Sequence, residues 1–327
     1  MPDDSLYAYA KACGIIGKSF TGKRTAHLGG LHTLGELSRL VFPSFQGEMN
    51  EKRSFPLYDL ERRIEQNAVE KILSIINSYS QPPSILIRQL MAYEYTNLKA
   101  CLHNIAKGDE IPRFYDIGRF RTIHFKAYPN LKVMLAGTEF EFIHPDRISL
   151  AGDDIIKIEI QLDIHYYVEF KKSLEELAGE DRDFAERILK DEISIRNCIW
   201  ALRLRTFYGK TSGEISGYLD LLPEVKKSLE MQLDTRDDWR SWKWERFLNP
   251  EKQGENWSIN PVYFQNAAFH YLNKIALHGF HRIPMSASSI LCFIKIKQYE
   301  EDILTSLAEG LKMGMDSASV LTMLGVL

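Results

Sequence analysis

Several groups of residues in this chain could support chemistry. The run Gly14-Ile15-Ile16-Gly17-Lys18-Ser19 ends in the Gly-Lys-Ser of a phosphate-binding loop. That loop needs GxxxxGK[ST] after a strand, so that successive backbone N–H groups wrap the phosphates. Position 12, where the first glycine belongs, is alanine, and the preceding Tyr-Ala-Tyr-Ala-Lys-Ala reads as helix. The segment is therefore read as the basic surface of a helix. His270, His278 and His281 are spaced to approach one another near a helix end. Zinc would need a further ligand and carboxylates behind the histidines. None stands at helical spacing, and Gly279 and Pro284 suggest that the helix stops there. Asp153-Asp154 and the Glu139/Glu141 pair have no neighbours to set distinct protonation states for acid–base work, so they are read as solvated loop charge. Cys13, Cys101, Cys198 and Cys292 form no CxxC pair, which leaves free thiols. HExxH and GxSxG motifs are absent. No catalytic residue, metal site or cofactor is expected.

The densest polar group is Glu192, Arg196, Asn197, Arg203 and Arg205, all within Asp191–Gly209. Glu192 and Arg196 stand at i,i+4, which favours a salt bridge on a helix. Arg203 and Arg205 interleave with Leu202 and Leu204 just after Trp200, so the arginines cannot all face one solvent side. Two readings stand. One is a surface ion-pair network of little energetic weight. The other is charge directed into a polar inner cavity or a partner interface. The second gains support from related segments, where Glu94, Asn97 and Lys99, and again Glu301 and Asp302, hold matching places. The candidate interface residues are therefore Asn97, Lys99, Arg196, Arg203, Arg205 and Asp302, with Arg203 or Arg205, or both, lining the cavity.

The elements that must position these residues recur. Tyr93–Gly108, Asp191–Gly209 and Gln298–Gly314 each carry an acid, then Asn or Asp, then a mixed helical run, then glycine. The anchors Asn97, Asn197 and Asp302 lie 100 and 105 residues apart. Glycine is the residue expected just past a helix end. A second element precedes each, beginning at Leu57, Leu162 and Asn260, and a short amphipathic turn lies near Leu37, Leu131 and Val225. Ile87, Met91, Tyr95, Leu98, Leu102 and Ile105 mark one face of a helix. A continuous helix from Ser84 to Lys107 would be about 36 Å long. Asp154–Leu162 alternates like a strand but leads into a helical pattern, and is read as the start of a helix. The expectation is an all-α chain of three repeats: 1–110 with the N-terminal helices, 111–212 and 213–327. Gly108–Arg121 and Met231–Pro261 are linkers. The second holds Trp239, Trp242, Trp244 and Trp257, and is expected to pack onto the body, with an interface role as the alternative.

The composition is that of a globular protein. The 327 residues are 45 % hydrophobic and 26 % charged, with a formal net charge of −3. These values exclude a disordered chain or a disulfide scaffold and give no global attraction to nucleic acid. The N-terminal run is acidic where a secretion signal would be basic. No apolar run approaches the roughly 20 residues of a membrane span, so membrane contact is expected to be indirect.

The ordered set of segments resembles a known family. Glu192–Gly209 (EISIRNCIWALRLRTFYG), Tyr93–Leu102 (YEYTNLKACL), Lys297–Met315 (KQYEEDILTSLAEGLKMGM) and Asn130–Ile143 (NLKVMLAGTEFEFI) are similar to the C subunit of archaeal- and bacterial-type V/A-ATPases, relatives of eukaryotic V-ATPase subunit d. The opening YAYAKACGIIGKSFTGKR and the later LGELSRLVF look like its N-terminal helices. The resemblance spans nearly the whole chain. It implies three similar helical domains in a pseudo-threefold funnel on the cytoplasmic face of the membrane, peripheral to it. The funnel would receive the foot of the central stalk and sit on the membrane rotor ring. It would couple the two for ATP-linked proton or sodium transport, while the chain itself neither hydrolyses ATP nor conducts ions. Two other classes stay open: a helical-repeat scaffold unrelated to the ATPase, which would bind neither stalk nor ring, and an enzyme that takes nucleotide at Lys18-Ser19.

Overall fold

The computed structural model describes residues 2–43, 57–143 and 153–326, and no strand occurs among them. The all-α expectation holds. After α1 (Pro2–Ile16) and a 3-10 stretch at Gly22–Leu28, a short, a long and a longer helix follow one another three times. The first set is α2 (Leu34–Val41), α3 (Leu57–Ile76) and α4 (Ser84–Lys107). The second is α5 (Leu131–Leu135), α6 (Asp153–Ser173) and α7 (Gly179–Tyr208). After the single turn α8 (Ser212–Ser216), the third is α9 (Pro223–Glu230), α10 (Pro261–Arg282) and α11 (Ala287–Lys312), and α12 (Ser317–Met323) ends the fold.

Local chemistry explains the boundaries. Thr33 and Glu36 form a reciprocal capping box at the start of α2. Pro223 occupies the first turn of α9, where its missing N–H costs nothing. Asn260 and Ser286 cap α10 and α11 with their side chains. Gly108, Gly209 and Gly314, just past the ends of α4, α7 and α11, take φ of 72°, 61° and 80°, the left-handed conformation expected of them.

The arms α3 and α6 pack chiefly outside their own sets, while α10 packs on α11 of its own set as well as on α7. α6 lies on α4, α10 lies on α7, and α3 lies on α11. Each long arm thus rests on the longer helix of the preceding set, and the first arm rests on the last helix, which closes a circle. Leu60 and Ile64 of α3 share a buried cluster with Ile303, Leu304 and Leu307 of α11. The starts of the longer helices meet at one end. There the Ser84 N–H donates to Glu176 (3.2 Å), and the Ser288 N–H and hydroxyl donate to the Asp181 carboxylate and carbonyl (both 2.8 Å).

Two sequence expectations are corrected. Asp153 and Asp154 open α6 and do not lie in a loop, whereas Asp154–Leu162 is helical as expected, with Ile155, Ile158, Ile160 and Leu162 buried. Gly279 does not end a helix, since α10 continues to Arg282. The glycine permits close approach instead: a Cβ there would fall 2.1 Å from Cζ of Phe184 on α7.

The tryptophan-rich linker packs inward, as expected. Trp239, Trp242 and Trp244 are buried, and their indole N–H groups donate to Gln232 O (2.7 Å), Glu224 O (2.9 Å) and Ser194 Oγ (3.2 Å). Their rings form a core with Phe247 and Phe264 between α7, α9 and α10.

Candidate functional site

A polar cavity of about 320 Å³ lies among α4, α6, α7, α10 and α11. Helical spacing aims the wall residues at it. On α4, Gln89, Tyr93, Thr96 and Lys99 recur at steps of three or four; on α7, Glu192 and Arg196 stand one turn apart; on α11, Lys295, Tyr299 and Asp302 do the same. These are the polar faces of helices whose other faces fill the core.

Two ion pairs brace the wall. Lys99 donates to Asp163 Oδ1 at 2.6 Å, and the Trp200 indole N–H donates to the other oxygen at 3.0 Å. Lys295 of α11 pairs with Glu192 of α7. Burial alone would raise the Glu192 carboxyl, but Lys295 and Arg196 together hold it below the usual range. The Tyr167 hydroxyl also donates to Glu192, at 3.3 Å.

Arg196 and Asp302 face the cavity from opposite helices. Both side chains are exposed where they line the cavity, which is partly open. The Arg196 guanidinium stacks over Phe269, 4.8 Å from the ring centroid. Burial works against its charge, yet Tyr167, Asp163, Glu192 and Asp302 reinforce it beyond its ordinary strength. Asp302 is pushed up to about 6 by burial, which Arg196 only partly offsets. Its neighbour Glu301 is pushed up to about 8, by burial first and then by Asp302. The Tyr93 hydroxyl donates to Glu301 at 2.9 Å. Among the described residues, no group of His, Cys, Asp and Glu is arranged to hold a metal ion.

The six residues expected at an interface are separated by the structure. Lys99, Arg196 and Asp302 meet in the cavity. Asn97 faces away from it: its amide donates to Tyr115 O and accepts from Tyr115 N, each at 2.9 Å, which pins the first linker to α4. Glu94 does the same one turn earlier, accepting from the N–H groups of Thr122 and Ile123, both at 2.8 Å. Arg205 donates to Ser228 O (2.6 Å) and Met231 O (2.9 Å), so it holds the end of α9. Arg203 is half-buried on α7, and neither arginine lines the cavity. Asp163, Lys295 and the tyrosines of the wall were not singled out from the sequence. Lys295 carried a usable signal, a charge interrupting the otherwise apolar run from Ile290 to Ile296.

At the Gly17-Lys18-Ser19 segment, the N–H groups of Gly17 and Lys18 continue the helix to Cys13 O and Ile15 O. The Ser19 hydroxyl donates to Ile15 O and accepts from Lys297. The backbone N–H groups and the hydroxyl that would wrap a phosphate are already used.

Among the described residues, no helix is long and apolar enough to cross a membrane. An uncharacterized protein of Treponema pallidum (strain Nichols) is 24 % identical over 321 residues, covering 94 % of this chain and 93 % of that one. The family model described as "ATP synthase (C/AC39) subunit" matches residues 23–322, nearly the whole chain. With its all-helical fold and a family match of that extent, this protein belongs to the ATP synthase (C/AC39) subunit family and is a V/A-type ATPase subunit.

Proposed function

We propose that the chain is the non-catalytic socket on the central axis of a rotary V/A-type ATPase. In this reading it joins the central stalk to the membrane rotor ring on the cytoplasmic face, and so couples ATP turnover to proton or sodium transport. The units 1–110, 111–212 and 213–327 form a pseudo-threefold funnel around the cavity, and membrane contact is made through the ring. The observation that carries the reading is the polar cavity enclosed by a closed circle of helix packing. A rotary coupler must transmit torque without internal slip. Interlocked arms resist slip, because displacing one unit breaks buried contacts with both neighbours. A polar, hydrogen-bonding lumen suits a protein shaft that must be held in one register.

The test is co-purification. The tagged chain, drawn from gently solubilised membranes, should bring central-stalk and rotor-ring subunits with it. Membranes lacking the chain should hydrolyse ATP without pumping. Recovery of the chain free of ATPase subunits, or full pumping in its absence, would sink the proposal.

A further inference from the structure

The charges of the cavity wall balance. Asp163 is matched by Lys99, and Glu192 by Lys295. Glu301 receives the Tyr93 hydroxyl and, raised to about 8, keeps its proton at neutral pH. One base and one carboxylate remain, Arg196 of α7 and Asp302 of α11, and each is the other's counter-charge. They do not touch. Both side chains are exposed on the cavity, and neither makes a hydrogen bond or ion pair with any described residue. Arg196 is held flat by its stacking on Phe269. Asn273, one turn further along α10, borders the same space. It is only 5 % exposed, and its amide oxygen has no hydrogen-bond partner.

The wall thus offers donors on one side and acceptors on the others, with no net charge. A lysine or arginine entering this gap would gain from Asp302 and lose to Arg196, and a carboxylate would do the reverse. A neutral group with an acceptor at one end and donors at the other gains from both. A primary amide has that form, an oxygen with two lone pairs beside a nitrogen with two N–H groups. Its oxygen accepts from Arg196, one N–H donates to Asp302, and the second suits the oxygen of Asn273. The two bonds to charged partners are the strong ones. A hydroxyl has one O–H and cannot serve both acceptors, and an apolar group serves neither.

We infer that the cavity clamps a side-chain carboxamide, an asparagine or glutamine of the central-stalk segment that seats there, between Arg196 and Asp302. The inference rests on the socket reading and names the chemistry of its partner. The clamp sets the register of the shaft, because the amide dipole fits between the two charges in one direction only.

The experiment measures binding of the full chain to purified central-stalk subunits at physiological ionic strength. Arg196→Met removes the donors and Asp302→Ala removes the acceptor. Each should leave the helical circular dichroism unchanged and weaken binding by about tenfold or more. The signs decide the occupant. A cationic occupant would bind more tightly to Arg196→Met, which removes a repulsion, and an anionic one more tightly to Asp302→Ala; a gain in either variant overturns the inference. The other half of the test leaves this chain unaltered. Each asparagine and glutamine of the stalk foot is replaced in turn by leucine. One such variant should lose about as much affinity as Asp302→Ala, and combining the two should cost little more than either alone. If the native chain binds no stalk subunit, the socket reading itself falls. If it binds, but both variants of this chain stay within about twofold of it or no stalk carboxamide couples to Asp302, the socket stands and the inference is overturned.

Discussion

Replacing Lys297 by methionine should destabilise the fold by about 3 kcal/mol. Lys297 and Glu300 form an ion pair in the heart of α11, with side chains only 2 % and 5 % exposed. Glu300 also accepts the Phe20 N–H at 2.6 Å, and Lys297 donates to Ser19 Oγ at 3.2 Å. The pair therefore ties the end of α1 to α11. Methionine fills much the same volume and loses little packing. What it leaves is a buried carboxylate with one backbone donor, and breaking a buried pair this way costs about 3–5 kcal/mol. The lower end applies because the Phe20 N–H remains. For a chain of this length that is a fall of about 4 °C in the thermal midpoint. The double variant Lys297→Met with Glu300→Gln removes the bare charge and keeps an acceptor for Phe20, so it should recover more than half of the loss. Urea unfolding followed by circular dichroism would measure both. A single-variant effect below about 1 kcal/mol, or a double variant less stable than the single, would refute the reasoning that stranded charge dominates.

Three further outcomes follow from the geometry. Glu301 is raised from 4.5 to about 8, so the folded chain keeps a proton that the unfolded chain has released. Its contribution is fully present below about 4.5 and is lost as pH rises toward 8, at up to about 1.4 kcal/mol per unit. Glu301→Gln should flatten the decline in stability between those limits, and urea midpoints that fall in parallel with the native chain would contradict this. Gly279→Ala places a Cβ 2.1 Å from Phe184 Cζ and 3.0 Å from Cys292 Sγ. Despite the helix-favouring effect of alanine, it should cost a net amount of about 1–2 kcal/mol, and a rise in thermal midpoint would refute the close-approach account. Arg205→Gln gives up charged donors to two carbonyls and should lower stability by about 1–3 kcal/mol while leaving stalk affinity unchanged; a selective loss of binding would return Arg205 to the interface.

Elements set by local rules were legible in the sequence. The ends of α4 follow from Pro83 and Gly108, and its apolar stripe announced the helix between them. The assignment of stripes to partners was not legible. An amphipathic helix shows that it has a face to bury, yet nothing in α6 alone says that α4 will cover it. The candidate site divided on the same point. Arg196 and Arg205 share one helix and similar neighbours, but one looks into the cavity while the other meets the end of α9. Glu94 and Asn97 looked like site residues because they hold matching places in the repeated segments. Their burial serves the linker, whose backbone N–H groups need acceptors. Lys297 and Glu301 interrupt the apolar face of α11. That helix is packed on by α1, α3, α4, α7, α10 and α12, and its buried Lys297, Glu300 and Glu301 are paired.

The circle of packing also sets the order in which the chain can be completed. α6 finds α4, and α10 finds α7, soon after each is made. α3 must wait for α11, because the residues that cover Leu60 and Ile64 are Ile303, Leu304 and Leu307, some 240 positions later in the sequence. At about 5–20 residues per second, the apolar face of α3 stays without its final partner for roughly 12–48 seconds of synthesis. During that interval the nascent protein is an open arc with one sticky arm. The last step of folding joins its beginning to its end, so a truncation before α11 would leave the first arm exposed as well as deleting the last helix.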